Sequence, residues 1–288
     1  MAVGLVVVSG FVHAVWNLFA KKSGNKFAFL WYCQLVGVAA YLPWFVQEIA
    51  GGIALGGHGL FWLSLSIALH GGYMFLLAKA YTVGDLSQVY PIVRGTGPLL
   101  VPIVGVLALG EPMPALGWLG VALVVVGIVS LSPFRLRSGH KTSNGLVKNA
   151  SLHAVALALG VGLCVTGYLL ADKLALRDVS PVVLNMAGNI GNTVFLAWPA
   201  WKSGALRTEW RANRLTIGLG GLLAPGGYLL FLYALTLGPV SHLVPIREIG
   251  TVFGTLFGLL LLRESQGPRR LAASCAITAG IMLLGFSG

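Results

Sequence analysis

The stretch YPIVRGTGP, residues 90–98, decides how the chain can fold. It places Arg94 and two prolines inside a run that is otherwise apolar enough to cross a lipid bilayer. A second stretch, VPIREIG at residues 244–250, carries Arg247 and Glu248 in the same kind of run. A charge in hydrocarbon costs from about 2.5 to well over 10 kcal/mol, so it is rarely kept there without a use. We therefore expect both stretches to face protein or a polar cavity and not lipid.

The composition around these stretches is that of a membrane protein. Hydrophobic residues make up 57% of the 288 residues and charged residues 9%, against about 25% charged residues in an ordinary soluble domain. The net charge of +11 does not indicate nucleic acid, because the basic residues sit in short loops between apolar runs. Cys33, Cys164 and Cys275 lack metal-ligand spacing and are expected to be packing residues. We expect no cofactor, no metal and no nucleic-acid partner.

Ten apolar runs approach the roughly 20 residues that a transmembrane helix needs. They cover residues 2–20, 28–47, 59–81, 86–107, 113–131, 152–172, 180–201, 214–236, 241–262 and 269–287. The sequence therefore predicts an all-α integral membrane protein with ten transmembrane helices. We expect the first run to be a retained helix and not a signal peptide. It has neither a basic segment before it nor a small-residue cleavage site followed by a polar chain.

The two halves of the chain resemble each other. Residues 86–92 align with residues 240–246, and further matches follow in the same order at a near-constant spacing. Because each half holds five helices, the second half should enter the membrane the other way up. The predicted domains are a first five-helix repeat at 1–131, a basic cytoplasmic linker at 132–151 and a second, inverted repeat at 152–288.

The loop charges predict the orientation of the chain in the cytoplasmic (inner or plasma) membrane. Of the 19 lysines and arginines, Arg94 and Arg247 lie inside predicted helices, and Lys173 and Arg177 lie on one face of the membrane. All the others follow helices 1, 3, 5, 7 and 9 and share the opposite face. The positive-inside rule makes that face cytoplasmic and places both termini outside.

Several motifs resemble those of a known transporter family. They are Ser-x-x-Tyr-Pro at 87–91, Leu-Gly-Glu at 109–111 and the glycine-rich fifth helix at 117–127. With five plus five helices, the chain resembles the EamA-type branch of the drug/metabolite transporter superfamily. Residues 13–21 resemble the opening of a subgroup linked to phosphonate utilisation. The resemblance implies secondary transport, often export, of amino acids, nucleotide sugars, organic cations or phosphorylated metabolites. Several family members have cytoplasmic termini, opposite to the charge-based orientation, which we keep.

The charged residues at membrane depth are the leading candidates for a substrate site. Arg94 lies one turn after a proline in the fourth helix, and Glu248 occupies the matching position in the ninth. A guanidinium presents a planar fork to a carboxylate or phosphate, and Glu248 can meet an amine. With Arg247 there are two positive charges against one negative. This balance favours an anionic or zwitterionic ligand, such as an amino acid or a phosphonate-like compound. The alternative is a structural ion pair that pins the two helices.

The other candidates have a helix-packing alternative. Helical spacing puts residues 13, 16 and 17 on one face of helix 1. Asn189 belongs to a stripe of three amides at 185, 189 and 192, which either line a cavity or bond between helices. The predicted substrate-binding residues are Arg94, Glu248, Arg247, Tyr90, Trp16, Asn17, His13, Tyr73 and Asn189.

Some features of the sequence are interpreted as structural. Glu111 and Glu264 each lie just before a helix, where a carboxylate suits the positive helix end. Asp172 and Lys173 end helix 6 and are interpreted as marking the membrane interface. A close-packing glycine stripe is predicted on helix 9. Its members are Gly250, Gly254 and Gly258.

The sequence favours a secondary transporter or exchanger that moves a small metabolite through a central cavity by alternating access. No ATP-binding motif occurs, so the energy source is a coupling proton, a counter-substrate or the substrate's own gradient. Glu248 is the best candidate for proton coupling. The alternatives are a lipid-linked sugar flippase and, less favoured, a membrane enzyme, for which no metal motif or nucleophile with a base appears. A monomer and a homodimer are both compatible with the sequence.

Overall fold

The computed structural model describes residues 1–52, 56–83, 86–131, 145–260 and 268–287. Within these ranges the chain is helical and has no β-strand, which confirms the all-α prediction. The helices are α1 (Ala2–Lys22), α2 (Lys26–Ala50), α3 (Gly57–Val83), α4 (Leu86–Leu109), α5 (Ala115–Leu131), α6 (Gly145–Ala175), α7 (Pro181–Lys202), α8 (Leu206–Leu237), α9 (Val240–Arg247), α10 (Ile249–Leu260) and α11 (Pro268–Ser287).

Each of the ten predicted runs falls on a helix, but the ninth is divided at Glu248 into α9 and α10. The Glu248 N–H donates to the Pro245 carbonyl at 3.1 Å, and the Thr251 N–H donates to the Glu248 carbonyl at 2.8 Å. Both bonds span three residues, which tightens the backbone locally. Helix α6 begins at Gly145, so residues 145–151 of the predicted linker are helical. Residues 132–144 lie outside the described residues.

The outer surface of the helices is apolar. Leu107 is 81% exposed and Phe286 84%, and many other large apolar side chains also face outward. Such a surface suits lipid and not water. Among the described residues, the helical stretches long and apolar enough to cross a membrane are Ala2–Ala20, Lys26–Ala50, Ile92–Leu109, Val155–Ala175 and Leu206–Leu237. Shorter apolar helices cover Ala115–Ser130 and Leu271–Ser287.

The helices pack in pairs around the centre of the molecule. Helix α3 packs on α6, α1 on α8, and α2 on both α7 and α8. Helix α4 contacts α5, α6 and α9, which brings the two charged stretches together. Helix α5 packs on α11, where a Cβ added to Gly120 would lie 2.7 Å from the Gly280 carbonyl oxygen.

The predicted glycine stripe is only partly a contact surface. A Cβ at Gly250 would lie 2.9 Å from the carbonyl oxygen of Gly10 on α1. At Gly254 a Cβ would meet nothing within 4 Å, so the stripe interpretation is wrong for this residue. What packs against α10 at Gly258 lies outside what the structure describes. Helix α10 therefore meets α1 at the crossing of Gly10 with Gly250.

We expect Gly250→Ala to lower the melting temperature of the detergent-solubilised protein. The added methyl group would collide with the Gly10 backbone, and overpacking of this kind costs roughly 1–3 kcal/mol. The matched control is Gly254→Ala on the same helix, where the space is open and alanine favours the helix by about 1 kcal/mol. Equal melting temperatures for the two variants would contradict the crossing.

Candidate functional site

A cavity of about 260 Å³ lies between the central helices. It brings together most of the predicted site residues, from α1, α3, α4, α7 and the break between α9 and α10. The predicted residues that line it are His13, Trp16, Tyr73, Arg94, Asn189, Arg247 and Glu248. The helix break thus places both charges of the second stretch at one cavity.

One predicted residue, Asn17, is not part of this lining. Asn17 is exposed on the outside of α1 and is not among the lining residues. It follows Trp16 by one residue, which turns its side chain by about 100° around the helix. The side chain of Tyr90 lies outside the described residues.

Arg94 and Glu248 are connected through a hydroxyl group. The Nη2 of Arg94 donates to Thr251 Oγ1 at 3.4 Å, and that hydroxyl donates to Glu248 Oε2 at 2.9 Å. The first distance is long for a hydrogen bond and indicates a weak contact. The link joins α4 to the broken helix across the cavity wall.

Arg247 is held by aromatic faces. Its guanidinium carbon lies 4.3 Å from the ring centroid of Phe231 and 5.1 Å from that of Tyr228, both on α8. Such cation–π contacts favour a positive charge away from water. A stacked guanidinium can still use its planar edge for hydrogen bonds, and Arg247 lines the cavity.

The asparagine stripe on α7 faces the cavity. Asn185, Asn189 and Asn192 all line it, which favours the cavity interpretation over bonding between helices. Asn189 Nδ2 donates to the Asn185 carbonyl at 2.8 Å. The Asn192 Oδ1 and Gln34 Oε1 atoms are buried, and neither has a hydrogen-bond partner among the described residues. Buried polar atoms in native proteins are nearly always bonded, so these two acceptors suit a ligand or water.

Asp172 is a buried residue whose hydrogen bonds the sequence interpretation did not anticipate. The sequence interpretation treated it as an interface marker and missed that it is 0% exposed and packed between helices. Its Oδ1 accepts a 2.5 Å hydrogen bond from the Ser66 hydroxyl, and its Oδ2 accepts one from the Tyr228 hydroxyl. Tyr228 lines the cavity, so the carboxylate lies directly behind the cavity wall. The sequence did contain one signal that α6 has a polar inner face, because Tyr168 lies one turn before Asp172. In the structure the Tyr168 ring stacks on His70 with 3.9 Å between the ring centroids.

Glu111 and Lys173 hold the connection between α8 and α9. The Glu111 carboxylate accepts hydrogen bonds of 2.8 Å from the backbone N–H groups of Val240 and Ser241. Lys173 Nζ donates at 2.5 Å to the carbonyl of Leu235 near the end of α8. The structural interpretation of Glu111 is confirmed, although the helix it caps is α9 and not the next helix. Glu264 lies outside the described residues.

We expect Glu111→Gln to lower the melting temperature, because one of the two backbone N–H groups loses a charged acceptor. Hydrogen bonds to charged groups contribute about 1.5–3 kcal/mol each. Thermal unfolding in detergent measures the change, with Glu48→Gln near the end of α2 as the control. A Glu111→Gln protein as stable as this control would contradict the capping role.

Sequence comparison agrees with this architecture. The model of the EamA-like transporter family matches residues 152–286. The match lies within the second predicted repeat. The predicted EamA resemblance is thereby confirmed over this part of the chain.

The chain is also similar to curated proteins from bacteria. It is 26% identical to the threonine/homoserine exporter RhtA of Escherichia coli K12 over 257 residues, which cover 86% of this chain and 76% of the exporter. The RhtA of Salmonella typhimurium LT2 is 25% identical over the same lengths. The uncharacterized protein y4nH of Sinorhizobium fredii is 38% identical over 66 residues, which are 23% of this chain and 56% of that protein.

A solved crystal structure shares the fold. It superimposes on 100% of this chain and 99% of its own with a TM-score of 0.73 at 16% sequence identity. The fold is therefore that of a known structure, while the family match and the exporter homology concern function. Together they support a small-molecule transporter, as the sequence predicted.

Proposed function

We propose that this protein moves a small zwitterionic metabolite of the amino-acid type through the cavity by alternating access, as a secondary transporter or exchanger. The observation that carries the proposal is the separation of charge at the cavity. Arg94 and Arg247 supply positive groups and Glu248 a negative one within a single lining.

The charge balance around the cavity favours a zwitterion over an anion. The sequence alone indicated two positive charges against one negative. Asp172 adds a negative charge behind Tyr228, so Arg94 and Arg247 are balanced by Glu248 and Asp172 when all are ionised. A ligand with one carboxylate and one ammonium group leaves this balance unchanged. Charges in a low-dielectric site are costly unless paired, so a net-neutral ligand fits best.

The size of the cavity favours a small substrate. Its volume of about 260 Å³ lies below the roughly 300–1,000 Å³ of pockets for drug-sized ligands. Threonine and homoserine, named for the exporter RhtA, each carry an amino and a carboxylate group on a short chain. A nucleotide sugar or a lipid-linked sugar, as a flippase would carry, is a larger ligand.

The site residues define how such a ligand would bind. Its carboxylate or phosphonate group meets Arg94 and the edge of the stacked Arg247, since guanidinium groups bind these anions with paired hydrogen bonds. Its ammonium group meets Glu248. The ends of α9 and α10 lie at the same place, and broken helices of this kind bind ions in other transporters. The short side chain then faces the amides of α7.

We also propose that residues 1–131 and 152–288 form two inverted five-helix repeats around this site. The packing of the helices supports this arrangement. Helix α3 packs on α6 as α1 packs on α8, and α4 packs on α6 as α1 packs on α10. In the proposed repeat α1 corresponds to α6, α3 to α8, and α4 to α9 and α10. The pair α3 with α6 in this way corresponds to α8 with α1, and the pair α4 with α6 corresponds to α10 with α1. We propose that both termini lie outside the cytoplasmic membrane, which the positive-inside count favours.

Counterflow in proteoliposomes tests the proposed function. Vesicles with purified protein are loaded with unlabelled threonine and diluted into labelled threonine. We expect transient accumulation of label that requires the internal amino acid. Transport of organic cations or sugars in the absence of any amino-acid exchange would refute the proposal.

A further inference from the structure

The strongest unexplained group outside the cavity lining is the carboxylate of Asp172. It is fully buried on α6 at the meeting point of α3 and α8. Each oxygen accepts a hydrogen bond from a hydroxyl group, one from Ser66 and one from Tyr228. A buried ionised carboxylate is costly unless it is fully compensated, so a group in this position is poised between its charged and neutral forms.

The hydrogen bonds form a path from the cavity to Asp172. His70, which lines the cavity, places Nδ1 3.0 Å from the Ser66 carbonyl oxygen and 3.3 Å from the Ser66 hydroxyl. Because a carbonyl only accepts, Nδ1 carries a proton and donates to Ser66. The Ser66 hydroxyl is then able to donate its own proton to Asp172. Tyr228 provides a second path, since it both lines the cavity and donates to Asp172.

Both hydroxyl groups can support either protonation state of Asp172. When the carboxylate is ionised, Ser66 and Tyr228 donate to it. When one carboxylate oxygen carries a proton, that O–H donates to a hydroxyl oxygen, which turns its own hydrogen away. A hydroxyl group can donate and accept, so the change requires no movement of the helices. Glu248 differs, because its Oε2 bonds to a hydroxyl that also contacts the permanent charge of Arg94.

The charged and titratable groups around Asp172 come from every element packed against it. Those that interact with Asp172 itself are His70 on α3, Tyr228 on α8, Arg247 on α9 and Tyr168 on α6. Tyr73 on α3 and Arg94 on α4 interact with Tyr168, and Lys173 follows Asp172 on α6. Lys173 points away, because its ammonium group bonds to the carbonyls at the end of α8. Arg247, which is proposed to bind the substrate carboxylate, stacks on Tyr228. Tyr228 donates to Asp172, so the two sites are connected through one side chain.

We propose that Asp172 is a proton-binding site that couples transport to a proton gradient. This rests on the proposed function, because the coupled substrate is the one bound beside Arg247. In the cycle, an O–H bond forms on an Asp172 oxygen with a proton from water on one side of the membrane. The same bond breaks when the cavity opens to the other side, and the proton returns to water there.

The first test compares Asp172→Asn with the wild type in proteoliposomes. Asparagine keeps the size and one acceptor but holds the site permanently neutral. We expect accumulation of labelled threonine driven by an imposed pH gradient to fall about tenfold or more relative to threonine counterflow measured without a gradient in the same vesicles. Retention of both activities, or wild-type counterflow without gradient-driven accumulation, would overturn the proton site and leave the proposed function standing.

Two further measurements cover a folding defect and a wrong substrate. Tyr228→Phe removes one donor and weakens the ionised form, so the pH of half-maximal gradient-driven uptake should move upward; an unchanged pH profile overturns the proposal.

Infrared titration of the purified protein requires no substrate. We expect a protonated-carboxyl band that appears on acidification and is missing in Asp172→Asn, and a band equal in both proteins overturns the proposal. Absent counterflow in the wild type would refute the proposed function alone.

Discussion

Replacing Arg94 by alanine is expected to weaken binding of a zwitterionic substrate about 100-fold, the largest effect of any single change in the site. Truncating one partner of a buried charged hydrogen bond costs about 2–5 kcal/mol, and about 1.4 kcal/mol corresponds to a factor of ten. Arg94 lines the cavity on α4 and would lose its contact with the substrate carboxylate. Calorimetric titration of the purified protein with threonine measures the change.

Two variants serve as controls for Arg94→Ala. Arg177→Ala removes an arginine that is exposed between α6 and α7, away from the cavity, and should bind threonine like the wild type. Arg94→Lys keeps the charge but loses the planar fork, so its affinity should fall between the other two. Equal binding by Arg94→Ala and Arg177→Ala would show that Arg94 does not contact the substrate.

Glu248→Gln is expected to change selectivity. Glutamine keeps the size of the side chain but removes the negative charge that meets the ammonium group. Affinity for threonine should fall about tenfold or more, because a charged hydrogen bond contributes about 1.5–3 kcal/mol. Affinity for the corresponding hydroxy acid, which has no amino group, should not fall. Titration of the same preparation with both compounds measures this difference.

Thr251→Val separates substrate binding from a purely structural link. It breaks the hydroxyl connection between Arg94 and Glu248 but keeps both charges. If the two charges bind substrate, Thr251→Val should retain most of the threonine affinity. If they only hold each other, it should reproduce the loss seen in Glu248→Gln, and the selectivity between amino acid and hydroxy acid should not change.

Hydropathy alone predicts the helices well. Backbone N–H and C=O groups in lipid must bond to each other, which a helix achieves, so a long apolar run is a reliable sign of a helix. The break in the ninth helix is not explained by its proline. It lies at Glu248, three residues after Pro245, whereas the donor that proline lacks would bond to the turn before it. Pro91, at the matching position, leaves α4 continuous.

The direction in which each side chain points could not be derived from the sequence. Trp16 faces the cavity while its neighbour Asn17 faces outward, and only the position of α8 against α1 decides between them. Asp172 beside Lys173 looks like a pair of surface charges. Yet Asp172 bonds to Ser66 on α3, and Lys173 bonds to the end of α8.

The hydrogen-bond partners of residues distant in the sequence could not be derived from it either. Glu111 lies just before α5, so the sequence indicated a cap for that helix, but the carboxylate bonds to the first N–H groups of α9. Gly110 contributes by taking a positive φ of 67°, a backbone conformation that glycine adopts without strain. The Leu-Gly-Glu motif therefore ends one helix and caps another that is distant in the sequence.

The central claim is that the cavity recognises a carboxylate and an ammonium group together. The most direct measurement is the affinity of the purified protein for three compounds of similar size: threonine, its decarboxylated amine and its hydroxy acid. We predict that threonine binds at least about tenfold more tightly than either of the others, since each lacks one charged hydrogen bond. Binding of the amine as tight as that of threonine would contradict the account, because it would leave the arginines without a role in recognition.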